Sequence, residues 1–262
     1  PAAVRAEPDA RFVGGCVTFD VAAAKVTDRH GELLPFRRDA TGWYHLDPAV
    51  PAQLRIATAV NDIAQVTDRG IYHLDMSPEC RLGSGPDHRV PGPIIASSRR
   101  VGADNVFLWP LPWLHRLGNS GFLGDPLRSE PGWNAKTDRL CRVEGEVTDD
   151  SALACRYVLC PAETPEADRF LPLVNSQSLL LREENGWEVF WSGLFQPWRH
   201  YLPVEKGGAD ALLDWARAHP ETCAEITAEA RATCAALPDP QVRRHHLALV
   251  LRDYRIASGQ SG

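Results

Sequence analysis

Lysine is scarce in this chain: among 262 residues only Lys25, Lys136 and Lys206 occur, and arginine carries the rest of the positive charge. A formal net charge of -6 leaves no basic surplus. Nucleic-acid partners want a basic face, so none is expected. No run approaches the ~18 apolar residues of a membrane-spanning helix. No transmembrane segment is therefore expected, and any membrane association would be peripheral. The first residues, Pro1-Ala2-Ala3-Val4-Arg5, lack the apolar core of a signal peptide. The 7 cysteines include no Cys-x-x-Cys pair, which argues against a zinc site. Their odd count reads as buried, reduced thiols in a cytoplasmic protein. No Asp-x-Asp pair ends a strand, so no metal is expected to hold a diphosphate, and arginine forks can offset that charge instead.

What is present is a succession of short apolar runs and helical patterns. Apolar residues recur at helical spacing from Leu54 to Ala64, and Ile71-Tyr72-His73-Leu74-Asp75 reads as a strand ending in a carboxylate. Two further strands are predicted around Ile94-Ile95-Ala96 and Val106-Phe107-Leu108. The segment from Leu111 to Trp133 is irregular and aromatic, as a substrate-facing loop would be. Strands follow near Leu140 and over 154–160. Leu179-Leu180-Leu181 is bounded by turn residues, which suits a strand buried on both faces. Helices are predicted from 208 to 219, with Asp210 as an N-cap, from 220 to 236 and from 241 to 256. The pattern predicts an α/β protein. In open α/β sheets ligands sit outside the carboxyl ends of the strands, and Arg169 and Ser178 are expected to flank that crevice.

Pro197-Trp198-Arg199-His200-Tyr201-Leu202-Pro203-Val204 resembles the P-W-x-H-Y-x-P-V signature of Rumi-type protein O-glucosyltransferases and capsule-associated proteins, glycosyltransferase family 90. Upstream pieces fall in the family's order: Ile95-Ala96-Ser97-Ser98-Arg99, Trp133 with Lys136, Cys155-Arg156-Tyr157, Ala167-Asp168-Arg169, and Asn175-Ser176-Gln177-Ser178. The resemblance spans roughly Leu54 to Ala236. It implies a GT-B-like architecture of two Rossmann-like lobes, an acceptor-side lobe over 11–135 and a shortened donor-side lobe over 136–262, with the last helix crossing back.

The resemblance implies inverting transfer of a sugar from a UDP-sugar donor, which is a substrate; no cofactor is implied. The acceptor would be a glycan or lipid-linked glycan of lipopolysaccharide or capsule assembly, at the inner face of the membrane. Arg142, Arg156, Tyr157, Ala167, Asp168, Arg169 and Ser178 would hold the donor, with Arg169 on the diphosphate. Trp109, Trp113 and Trp133 would meet the acceptor. Asp75 is the candidate general base, because a carboxylate at a strand's end can face a substrate hydroxyl. It reads equally as an Asx turn before Ser77-Pro78. Asp125 and Asp138 rank below it. His200 and Tyr201 read as structural. Three departures from the family pattern favour an alternative, a relative that binds a glycan or a partner without catalysis. Glu144 precedes the glycine where the family has arginine, a strand-helix-strand portion is missing after Gly145, and Glu163, Glu166 and Asp168 crowd the diphosphate loop.

Overall fold

The computed structural model describes residues 16–28, 31–34, 36–45, 51–76, 93–111, 117, 130–143, 150–161, 167–205 and 208–260. The chain divides into two compact units, one of Pro1–Leu117 with Arg243–Gly262 and one of Gly118–Val242.

In the first unit, β1 (Cys16–Asp20) and β2 (Lys25–Asp28) form an antiparallel hairpin, and β3 (Arg37–Arg38) pairs antiparallel with β4 (Tyr44–His45). Helix α1 (Pro51–Val66) follows, then β5 (Ile71–Asp75), β6 (Ile94–Ala96), β7 (Ser98–Arg100) and β8 (Val106–Leu108). The main sheet runs β2-β1-β5-β6-β8, with β5, β6 and β8 parallel and β1 antiparallel to β5. The sheet is therefore mixed, where the strand-loop-strand pattern predicts half of a doubly wound sheet. Residues 97–105 carry β6 to parallel β8 without a helix. Ile56, Ala59, Val60 and Ile63 form one stripe of α1 and pack with Phe19, Tyr72 and Leu74 of the sheet. Asn61 is buried in that stripe and fully used. Its side chain accepts from Tyr44 N at 2.8 Å and donates to Tyr44 O at 2.9 Å, locking α1 to β4.

The second unit contains β9 (Thr137–Arg142), α2 (Asp150–Leu153), β10 (Cys155–Cys160), α3 (Ala167–Val174), β11 (Leu179–Glu183), β12 (Trp187–Val189), β13 (Leu202–Val204), α4 (Ala209–Ala218) and α5 (Pro220–Cys234). Its four-stranded sheet, β13-β11-β10-β9, is parallel throughout. Alternation sorts the side chains between its faces. Val158 and Leu180 pack with Phe170, Leu171 and Val174 of α3. Tyr157, Leu159, Leu179 and Leu181 pack with Leu213 and Ala216 of α4 and Ile226 of α5. Both faces are covered, as the bare run of leucines requires. The N-cap of α4 is Gly208, and Asp210 sits instead in the helix's first turn. Helix α6 (Pro240–Ala257) packs Leu247, Leu251 and Tyr254 into the first unit's core.

One expectation fails on pairing. Cys141 and Cys155 form a disulfide between β9 and β10, with Cα atoms 6.0 Å apart, so the cysteines are not all reduced. The two cysteines lie on neighbouring parallel strands, 14 apart in sequence, although the register sets Cys155 level with Thr137 and Cys141 level with Val158. Structural disulfides persist more readily in oxidising compartments than in the cytosol.

The amino edge of this sheet is tied by buried polar groups. Lys136, just before β9, donates its ammonium to the Leu153 carbonyl, just before β10, and lies 3.7 Å from Glu130. Glu130 in turn accepts the Gln177 N–H, two residues before β11. Side-chain exposures of 0% and 4% remove both charges from water. Burial pushes the Lys136 pKa down and the Glu130 pKa up, each opposed by the partner's charge. Removing one partner strands the other, so Lys136→Met should lower unfolding stability by about 3–5 kcal/mol in a urea titration. Adding Glu130→Gln should recover most of that loss, because the pair is then replaced rather than broken.

Candidate functional site

A parallel sheet offers ligands its carboxyl edge. In the second unit that edge carries two arginines. Arg142 ends β9 level with Leu159, and Arg182 lies on β11 level with Cys160. Alternation places them on opposite faces: Arg142 shares the face of Leu159, and Arg182 shares the face of Leu180 and α3. The Arg182 guanidinium lies 4.8 Å from the centre of the Phe170 ring and 5.5 Å from that of Tyr201. Two rings thus fix a cation that meets no carboxylate among the described residues. Beyond β10 the chain returns into α3, whose first three residues are Ala167, Asp168 and Arg169. The backbone N–H groups of a first helical turn and the positive end of the helix dipole suit an anion. Arg182 and the start of α3 therefore share one face of one edge.

Arg182 escaped the sequence reading because it abuts a run of leucines and a polar turn. The signal was there, since a charged residue closing an apolar parallel strand lies at the ligand-bearing edge.

Other expected donor residues are not brought there. Ser178 precedes β11 and so lies at the amino edge, where its hydroxyl donates to Cys155 O at 2.8 Å. Arg156 is the second residue of β10. It donates to Lys136 O at 3.3 Å, lies 3.7 Å from Asp138 and covers the Trp133 ring at 5.6 Å. Tyr157 is buried in the core edge-on to Trp133, and burial raises its pKa. Trp133 thus stands, half-buried, at the amino edge of the second unit. Asp138 accepts from Arg217 as well as facing Arg156, which commits it to ion pairing.

The Pro197–Val204 segment is a structural knot at the amino end of β13. Trp198 holds a φ of 64°, a costly conformation for a bulky residue, and is edge-on to Trp215 at 5.2 Å. Arg199 pairs with Glu229 of α5 on the surface. His200 is buried; its Nδ1 accepts the Gln196 N–H at 2.8 Å, which leaves Nε2–H facing Thr233 at 3.2 Å. Tyr201 packs edge-on to Phe170 and donates to Glu184 at 3.2 Å. These contacts dock the loop onto α3, α4 and α5, the structural role expected of His200 and Tyr201.

In the first unit, Asp75 ends β5, level with Ala96 of β6, and is fully buried. Trp109 follows β8, donates its backbone N–H to Ala96 O at 2.7 Å and is buried in the core. Its ring is part of the packing and is not an exposed acceptor platform. Trp113, Asp125, Glu144, Glu163 and Glu166 lie outside the described residues.

Among the described residues no group of His, Cys, Asp and Glu could hold a metal ion, and no helix is long and apolar enough to cross a membrane. No family model matches the chain, and no curated protein matches it.

The knot makes stability depend on pH. Burial, helped by the nearby Arg199 charge, lowers the His200 pKa below its ordinary value of 6.5. The unfolded chain then binds the proton more readily. Stability should be whole above pH 6.5 and fall as the pH drops below it. Urea midpoints at pH 7.5 and 5.0 should differ more for the wild type than for His200→Gln, whose amide can still accept the Gln196 N–H.

Proposed function

We propose that the chain is an inverting, metal-independent glycosyltransferase that uses a UDP-sugar. The observation that supports this reading best is the carboxyl edge of the parallel sheet, where Arg182, fixed between two rings, shares a face with the first turn of α3. In this reading the α3 N–H groups, Arg169 and Arg182 meet the diphosphate. Their charge is worth most as the bond to the anomeric carbon breaks and negative charge gathers on the departing UDP. Asp75 takes the proton of the acceptor hydroxyl while its oxygen attacks the opposite side of the anomeric carbon, inverting it. The acceptor is a glycan or lipid-linked glycan. The finer architecture, two Rossmann-like lobes with α6 crossing back, belongs to the same proposal. The disulfide shifts the proposed location from the cytoplasm to an oxidising compartment.

A second reading, a relative that binds a glycan or a partner without catalysis, is favoured by one observation. Asp75 is fully buried, and a base must reach its substrate.

Calorimetry with UDP and a transfer assay separate the readings. Arg169→Ala should weaken UDP binding by the roughly 1.5–3 kcal/mol of a charged hydrogen bond, about ten- to a hundredfold. Asp75→Asn should leave UDP affinity intact and cut turnover by about 10²–10⁴. If the wild type shows no UDP binding, the second reading holds. Full turnover in Asp75→Asn would remove Asp75 as the base.

A further inference from the structure

Where α1 ends and β5 begins, residues 64–69 and Arg255 of α6 line an open pocket of about 520 Å³. It belongs wholly to the first unit. It lies at the amino end of β5, whereas Asp75 ends the same strand, four rises or roughly 13 Å along. The proposed transferase chemistry does not use it.

The pocket is built around positive charge. Arg69 and Arg255 both line it, and neither meets a carboxylate among the described residues. The Nε of Arg255 is closed to solvent and has no hydrogen-bond partner, an expensive state for a charged donor. Both guanidinium groups act on one point, the Tyr72 hydroxyl. Burial raises the pKa of that hydroxyl, and the charges of Arg255 and Arg69 oppose the rise. The hydroxyl is itself pinned, donating to Arg69 O at 3.2 Å. Gly70 makes this possible: at φ +107° a Cβ there would meet the Tyr72 hydroxyl at 2.8 Å. The negative end of α1 is muted by a third arginine, since Arg244 donates to Gln65 O at 2.6 Å. Asp68 supplies the one opposing charge in the lining and is exposed.

We propose that this pocket binds the phosphate group of a phosphorylated small molecule. Arginine forks match phosphate oxygens. The volume exceeds a lone phosphate and lies in the range of small-molecule sites. Phosphate oxygens would accept from the terminal N–H groups of the two guanidinium groups that line the pocket.

Titrations of inorganic phosphate, glucose 6-phosphate and glucose at constant ionic strength, followed by backbone amide shifts, test this. Phosphate and glucose 6-phosphate should bind saturably, moving the amides of residues 65–72, and glucose should not. Arg255→Gln and Arg69→Gln should each weaken phosphate binding at least tenfold, and Asp68→Asn should strengthen it. Arg69 is exposed, so its variant carries the test even if Arg255→Gln disturbs the fold. Absence of saturable binding, or binding retained in both arginine variants, overturns the proposal. So does binding lost in Arg169→Ala but kept in Arg69→Gln, which would assign the anion to the other unit. UDP affinity retained in Arg69→Gln separates this site from the proposed donor site.

Discussion

A lysine and a glutamate with almost no access to water hold the second unit's sheet in register. Lys136 and Glu130 reach the backbone just before β9, β10 and β11, the three places where parallel strands must begin side by side. Parallel strands lack the tight hairpins that set register in antiparallel pairs. Something must fix their starting points, and here buried polar groups do so. Ser178 adds a second tie by donating to Cys155 O, and the Cys141–Cys155 disulfide adds a covalent one between β9 and β10.

The consequence is a division of labour along the strands. The amino edge is closed by Trp133, Arg156, Asp138 and the Pro197–His200 turn, all engaged with one another or with α4 and α5. The carboxyl edge is simpler and carries Arg182 and the start of α3. A rigid edge leaves the opposite one free to serve chemistry, because a site needs supports that do not move. The first unit follows the same logic with α1 locked to β4 through Asn61.

Much of this was legible from pattern. The periodic stripe of α1 and the bare leucine run of β11 declare their elements because burial leaves the sequence few alternatives. The antiparallel β1 was not legible, since pairing direction is set by long-range contacts that local propensity does not record. Nor was the disulfide, whose cysteines meet only once β9 and β10 lie side by side. Motif reading named Ser178 and Arg156 as donor ligands because a motif gives residues and order, not the edge of the sheet on which they fall. The same reading passed over Arg182, which borders a turn and becomes prominent only when Phe170 and Tyr201 close around it.

Backbone amide shifts during a UDP titration distinguish the two edges most directly. Shifts confined to residues 160–170, 181–184 and Tyr201 are predicted, with residues 133–137, 176–178 and 197–199 unmoved. Shifts centred on Ser176, Ser178 and Lys136, or none anywhere in the second unit, would contradict the assignment of ligand chemistry to the carboxyl edge.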